Sequence, residues 1–282
     1  MTFAITGASG GLGRLTIEEL LAAGTPADQI VAIVRDPAKV TDLAERGVVV
    51  RQGDYSDRAA WPAALEGVDR LLLISVSGPG ASTSHSSVID AAVQVGVGHI
   101  AYTSIVNADH SSHPLAPEHF KTEQLIAASG IPFTILRNAW YHEVYTYLLP
   151  GYLETGEVVA ATGDGRISGA ARADFAAVTA KVLLSEDTGS KTYELGGPSF
   201  TLAELAQVIS EVTGRTIVHR DVTAEELTAR LTAAGAHPML IEFGAAGDTS
   251  IRKGEMYTDS DAFARLLGRT PKPLAESIRA AL

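Results

Sequence analysis

Three glycines near the start of the chain are spaced Gly7-x-x-Gly10-x-x-Gly13, within Thr6-Gly7-Ala8-Ser9-Gly10-Gly11-Leu12-Gly13. The apolar run Phe3-Ala4-Ile5 precedes them, and a helical pattern follows, Leu15, Ile17, Leu20 and Leu21. A glycine turn between a buried strand and a helix start can hold a pyrophosphate. Its backbone N–H groups point outward, the helix dipole favours an anion, and a missing Cβ allows close approach. Glycine also marks ordinary tight turns, and the spacing is not G-x-G-x-x-G. The strand–turn–helix setting at the first junction favours the phosphate reading, with Gly7, Ala8, Ser9, Gly10, Gly11 and Leu12 as the cradle.

Arg35 follows the next apolar run, Ile30-Val31-Ala32-Ile33-Val34. Sites that prefer NAD place a carboxylate at the end of the second strand, to accept from the ribose 2′-hydroxyl. A guanidinium there would pair with a 2′-phosphate and stack on adenine. The expected cofactor is therefore NADPH, with NADH a weaker alternative. The neighbouring Asp36 complicates that reading, and Asp36-Pro37 is read instead as a helix cap. Asp54, at the end of the third strand, is either a partner for the adenine amino group or the residue of an Asx turn.

Reduction of a ketone calls for an acid, commonly a tyrosine with a lysine four residues later that lowers its pKa. None of the eight tyrosines has a lysine at that spacing. His119 and Glu123 stand where such a pair would be, on the helix after the fifth strand, and Lys121 falls on another helix face. The acceptor must then stabilise the hydride-derived charge itself. A quinone does so as a delocalised phenolate, and a cationic dye does so by being neutralised. Neither needs a strong protein acid, and orientation would supply most of the rate. No catalytic residue is fixed by the sequence. His142 is the one candidate proton donor, against the commoner structural role of a lone histidine.

These residues need a frame. Strand-like runs at Val48–Gln52, Leu71–Ile74, His99–Ser104 and Phe133–Leu136 alternate with helical patterns, including Ser87–Val95 and a helix ending at Ala128. Such alternation implies βαβ units and a doubly wound parallel sheet of the Rossmann type, whose ligands sit beyond the C-terminal strand ends. Those ends are Thr6–Gly13, Arg35, Asp54, Ser75-Val76-Ser77, Thr103-Ser104 and Arg137-Asn138. Beyond the last lies Arg137-Asn138-Ala139-Trp140-Tyr141-His142-Glu143, rich in aromatic and polar groups. It is expected to flank the cofactor and a flat substrate, or else to pack as a helix N-terminus. The second half reads as a smaller α/β lobe. It holds two short strands over Val158–Ser168 about Gly163-Asp164-Gly165, helices over Arg172–Leu184 and from Thr201-x-x-Glu204, and a strand over Thr216–Val222. The expected division is a nucleotide-binding domain over 1–150, receiving parts of 165–200, and a substrate lobe over 151–282.

Composition narrows the partners. The formal charge is −11, which disfavours nucleic acid and anionic membranes. There is no cysteine, so disulfides and thiolate chemistry are excluded, and the histidines show no metal-ligand spacing. With no membrane span and no signal-like segment in view, a cytoplasmic monomer or homodimer acting on a small molecule is the expectation.

Together, Thr6–Gly13, Ile33-Val34-Arg35, Gly53-Asp54-Tyr55, Leu73-Ile74-Ser75, Ile100–Ser104 and Leu136-Arg137-Asn138-Ala139 resemble the NmrA-like atypical short-chain dehydrogenase/reductases. The likeness extends to Gly163-Asp164-Gly165, Arg172-Ala173-Asp174 and Leu274-Ala275-Glu276-Ser277. Within that family the chain looks most similar to bacterial NAD(P)H:quinone oxidoreductases of the second type, with triphenylmethane-dye reductases as near neighbours. The resemblance implies NADPH contacts from Gly7–Leu12, Arg35, Ser75–Ser77 and Asn138–Glu143. It also implies a quinone-sized pocket over the nicotinamide, touched by Trp140, Tyr141 and the residue at Val144. That pattern carries asparagine where Val144 stands, so quinone preference is expected to differ if that asparagine touches substrate, and Lys121 is a second departure. Some NmrA-like proteins are NADP(H) redox sensors rather than enzymes. A pocket beside Trp140 and Tyr141 favours the enzyme, and a large exposed apolar patch without a cavity favours the sensor.

Overall fold

The computed structural model describes residues 1–282, with the side chains of 239, 240 and 242 left aside. Strands are β1 Phe3–Ile5, β2 Ile30–Val34, β3 Val49–Gln52, β4 Arg70–Leu73, β5 His99–Ile105, β6 Phe133–Asn138, β7 Glu157–Ala160, β8 Lys191–Leu195 and β9 Val218–Asp221. Helices are α1 Gly11–Ala22, α2 Thr41–Glu45, α3 Trp61–Ala64, α4 Ala81–Val95, α5 Ala116–Ala128, α6 His142–Thr155, α7 Arg172–Leu184, α8 Leu202–Thr213, α9 Ala224–Ala233, α10 Pro238–Arg252, α11 Ala262–Leu267 and α12 Leu274–Arg279.

The contacts divide the chain into two compact units. One holds Met1–Ala108, Pro117–Asn138 and Arg172–Tyr193; the other holds Asp109–Ala116, Ala139–Ala171 and Glu194–Leu282. Relative to a boundary at 150, the second unit begins at Ala139 and also takes the loop 109–116. The backbone explains the early start: Ala139 N–H donates to the Leu195 carbonyl, and Tyr141 bridges to Ala170.

The first unit is built on a seven-stranded sheet of order β3-β2-β1-β4-β5-β6-β8. The pairs from β3 to β6 are all parallel. Continuous apolar runs suit this role, since a central parallel strand is covered on both faces. All of β2 and β4 is buried, as is β1. The order reverses between β1 and β4, so the first crevice opens beyond Ile5 and Leu73. Arg70 starts β4 one residue before the expected apolar run. It is buried because its Nη1 donates to the carbonyls of Leu183 and Ser185, at the end of α7. A cation at orphan carbonyls satisfies them and complements the helix dipole.

The second unit carries a two-stranded parallel pair, β7 with β9. Two strands about Gly163-Asp164-Gly165 do not form. Only β7 is a strand there, and Ile167 makes an isolated bridge to Phe200. The turn instead seats against the end of α10. An added Cβ on Gly165 would lie 2.2 Å from the Ile251 carbonyl oxygen and 2.7 Å from its carbon. Gly165→Ala should therefore displace α10 or the turn, at a cost of about 1–3 kcal/mol, the range for overpacking against a rigid neighbour. Denaturant melts would show it, and an unchanged midpoint would refute the close approach. Among the described residues, no helix is long and apolar enough to cross a membrane.

Candidate active site

The glycine turn follows β1 directly. Gly7 has φ +58°, and Gly10 N–H donates to the Gly7 carbonyl at 2.9 Å. Gly10 caps α1, whose first intrahelical bond runs from Arg14 N–H to the Gly10 carbonyl. The N–H groups of Gly11, Leu12 and Gly13 precede that bond and are the orphan donors of a helix N-terminus. A Cβ on Gly13 would stand 2.6 Å from the Gly7 oxygen and 2.9 Å from Ala8 Cα, so only glycine lets α1 start this close to the turn. Ala8 and Leu12 are buried beneath the turn, while Ser9, Gly10 and Gly11 face outward.

Thr6 ties the crevice together. Its Oγ1 accepts from Ile74 N–H at 2.8 Å, and the Tyr55 hydroxyl lies 2.8 Å from Thr6 Oγ1 and 2.7 Å from the Ile74 carbonyl. Burial holds the Tyr55 phenol well above its ordinary pKa. Tyr55 belongs to a row of rings: Trp61 at 5.3 Å, His85 at 5.8 Å, then Tyr102 and His119. A cavity of about 300 Å³ opens beside it, lined by Gly7, Ser9, Arg35, Asp36, Lys39, Asp54 and Tyr55 among others. Arg35 and Lys39 are exposed at its mouth, and neither makes an ion pair among the described residues. Asp36 also caps the turn that follows. Its Oδ1 accepts from Ala38 N–H at 3.1 Å, with Pro37 first in the following helical turn.

Asp54 forms an Asx turn. Its Oδ1 accepts from Ser56 N–H at 2.9 Å and from the Ser56 hydroxyl at 2.7 Å. Those bonds, with Arg35 contributing, hold the carboxyl below its usual range. Beyond β4, Ser75 N–H donates to Thr103 Oγ1 at 2.9 Å, and Ser77 is exposed. Val76 N–H donates to His85 Nε2 at 3.0 Å, and His85 Nδ1 lies 2.9 Å from Thr122 Oγ1. The Thr122 hydroxyl donates to the Glu118 carbonyl, so His85 must carry its proton on Nδ1. Burial lowers the His85 pKa to about 4, keeping this neutral tautomer. His85 positions the Ser75–Ser77 loop. No sequence motif marked it; only a helix beginning at Ala81 rather than Ser87 brings it there. Arg172, in a segment that carries the family resemblance, is given its place at the turn by the fold. Its Nη1 lies 2.9 Å from where a Gly11 Cβ would be, placing a guanidinium on the outward-facing turn.

The cradle fits a dinucleotide phosphate. Outward N–H groups, a turn closed to side chains, and cations at the β2 end converge in one unit.

His119 and Glu123 both lie on α5 and both are used structurally. The Tyr102 hydroxyl is 2.9 Å from His119 Nδ1. Glu123 accepts from Arg137 Nε at 3.0 Å and Nη2 at 2.7 Å, and from the Ser104 hydroxyl. No tyrosine–lysine pair exists to serve as acid.

The second unit has its own cavity, of about 330 Å³, lined mainly by apolar side chains. Trp140, Val144, Tyr145, Leu148 and Tyr152 come from α6 and the residue before its cap; Leu227, Leu231, Phe243 and Ile251 come from α9 and α10. Among the described residues, four titratable groups reach it: His113, Tyr145, Tyr152 and Asp248. His113 Nδ1 accepts from Leu115 N–H, burial lowers its pKa to about 4, and its ring stands edge-on to Trp140 at 5.5 Å. Trp140 and Val144 thus line a cavity; Tyr141 caps α6, Glu143 sits in its first turn, and neither lines the cavity. His142 also lies outside it. It is 2% exposed, its Nδ1 is 3.0 Å from Ser277 Oγ, and its ring packs on Phe200. Ala139 is buried, and the Asn138 carbonyl accepts from Val106 N–H within the first unit.

A family model described as NAD(P)H-binding matches residues 7–186, from the glycine turn to just past α7. The chain belongs to the NAD(P)H-binding family. Quinone oxidoreductase 2 of Escherichia coli K12 is 44% identical over 277 residues, 98% of this chain and 96% of that protein. A crystal structure of the E. coli NADPH-dependent quinone oxidoreductase complexed with NADPH superposes with a TM-score of 0.95, at 43% identity and 99% coverage of both chains. The Citrobacter sp. triphenylmethane reductase complexed with NADP(H) gives 0.94, at 39% identity over 100% of each chain. In this NAD(P)H-binding protein no cluster of three or more metal-ligating side chains occurs among the described residues.

Proposed function

We propose that this protein is an NADPH-dependent reductase of quinones and similar flat, electron-poor acceptors. The observation that carries the reading is the occupation of the acid position: His119 and Glu123 are committed to Tyr102 and to the Arg137–Ser104 pair. A reductase without that acid needs an acceptor that stabilises charge itself, as a quinone does. The glycine turn, Arg35, Lys39 and Ser75–Ser77 hold the dinucleotide, and Arg35 faces the 2′-phosphate. NADPH supplies the hydride. Trp140 and Val144, in an apolar cavity sized for one or two aromatic rings, receive the acceptor. A cavity at Trp140 favours an enzyme over an NADP(H) sensor. The near-complete likeness to a triphenylmethane reductase favours cationic dyes as a second acceptor class. The enzyme acts as a monomer or homodimer in the cytoplasm, on a small molecule.

The test is to mix the protein with NADPH and a panel of quinones and triphenylmethane dyes, following loss of reduced-nicotinamide absorbance. Turnover of at least one quinone is expected. Tight NADPH binding without turnover of any acceptor would replace the reductase with the sensor.

A further inference from the structure

Among the described residues, Asp248 on α10 is the one carboxyl group in the apolar walls of the second unit's cavity. Asp248 is half-buried, and its Oδ2 accepts from Ala161 N–H at 2.8 Å. Its Oδ1 makes no hydrogen bond among the described residues, and Asp248 is one of the residues that line the cavity. Gly247, the residue before it, leaves His113 Nε2 3.4 Å from the place of a Cβ, so α10 lies close to the loop 109–116 here.

We infer that Asp248 is the acid that protonates the reduced quinone in this cavity. The inference rests on the reductase reading given above. The acceptor takes a hydride, two electrons with one hydrogen, from reduced nicotinamide, which is oxidised. One quinone oxygen is left as a phenolate. The Asp248 O–H bond breaks, the quinol O–H bond forms, and the resulting carboxylate takes a proton back from solvent water. A delocalised quinol anion can form without this proton donor, which then adds to a rate that orientation already supplies.

The other titratable groups are poorer acids. Burial, with the neighbouring Asp248 adding to it, holds the phenols of Tyr145 and Tyr152 above their ordinary pKa. His113 is neutral and has already engaged Nδ1. Asp248 is different: burial raises its carboxyl to about 6. The Ala161 amide and Arg252 oppose that rise, and Asp221 on β9 adds to it. Arg252 is itself held by Asp221, Nη2 to Oδ1 at 2.8 Å, and its Nε donates to the Ala161 carbonyl. It is therefore not available as a direct counter-ion that would keep Asp248 ionised.

The sign follows. The acid form exists below the raised pKa, so kcat for a quinone should fall as pH rises through about 6. Asp248→Asn keeps a donor but has no proton to give. It should lower quinone kcat by about tenfold or more near pH ~5.5 and flatten the profile, consistent with general-acid contributions. Quinone quenching of Trp140 fluorescence reads binding without turnover, with Trp140→Phe as the blank. There Asp248→Asn should stay within about threefold of wild type, since an amide still donates. A cationic triphenylmethane dye is neutralised by hydride alone, so its loss of kcat near pH ~5.5 should be several-fold smaller than the loss for a quinone. Superimposable quinone profiles for the two proteins would overturn the acid while leaving the reductase standing. Equal losses with quinone and dye would make Asp248 structural and also overturn it. If the wild type reduces no quinone, the reductase reading falls and takes the acid with it.

Discussion

Glu123→Ala should destabilise the first unit by about 3–5 kcal/mol, the usual cost of breaking a buried ion pair by removing one of its members. The side chains of Glu123 and Arg137 are only 8% and 10% exposed. Both Glu123 oxygens face the guanidinium, and Ser104 donates to one of them. The alanine variant removes the carboxylate that holds Arg137 Nε and Nη2 between α5 and β6, and takes from the Ser104 hydroxyl on β5 the acceptor it uses here. The pair as a whole need not add net stability, because desolvation of both ions offsets their attraction. A double variant, Glu123→Leu with Arg137→Met, should therefore recover most of the loss. The measurement is a denaturant midpoint for the three proteins. A single variant that melts within about 2 °C of wild type would show the pair to be solvated, since a loss of this size implies a shift on the order of 10 °C. The result also bears on chemistry. Glu123→Gln keeps the shape and loses the charge. If its quinone kcat stays near that of wild type, the acid position is structural, as its geometry indicates.

That pair shows what was legible in the sequence and what was not. Spacing alone located His119 and Glu123 where a tyrosine and lysine would sit, because a helix face is a local property. Their partners, Tyr102 and Arg137, lie on neighbouring strands of a parallel sheet, and pairing at that range leaves no trace in a window of residues. The same contrast runs through the fold. The caps at Asp36-Pro37 and Thr201–Glu204 were readable because both partners are a few residues apart. The continuous apolar runs of β2 and β4 were readable because burial on both faces removes alternation. Gly163-Asp164-Gly165 misled, because a turn signal says nothing about which strand comes back; β7 pairs with β9 instead, far along the chain. Helix α10 was not read at all. Gly244 and Gly247 argue against a helix by propensity, yet they stand where Leu231 and His113 come close. With α10 unread, Asp248 stayed invisible. The nucleotide turn could be read because its chemistry is carried by consecutive residues, whereas the second cavity is assembled from the loop 109–116, α6, α9 and α10.

Arg35→Ala should weaken NADPH binding by about 10–100-fold, the equivalent of charge-assisted hydrogen bonds worth about 1.5–3 kcal/mol. NADH, which has no 2′-phosphate, should change less than about threefold, reflecting only lost stacking on adenine. The asymmetry follows from how the local charges are spent. Asp36, the one carboxylate beside Arg35 in sequence, caps the turn at Pro37, and Asp54 is drawn into its own Asx turn by Ser56. Each uses one oxygen in its own turn, and beside them the end of β2 carries the exposed positive charge of Arg35, with Lys39 lining the same cavity. Lys39→Ala should act in the same direction but less strongly, because a flexible ammonium lacks the planar fork that binds phosphate with two bonds. Both residues are exposed, so the preference for NADPH should narrow as salt is raised toward concentrations where the screening length falls to about 3 Å. Titration of each variant with NADPH and NADH, followed by nicotinamide fluorescence at low and high salt, reads all of these effects. An equal loss for both cofactors on removing Arg35 would defeat the 2′-phosphate assignment. A loss confined to NADPH, insensitive to Asp36→Ala, would place the selectivity in the guanidinium alone.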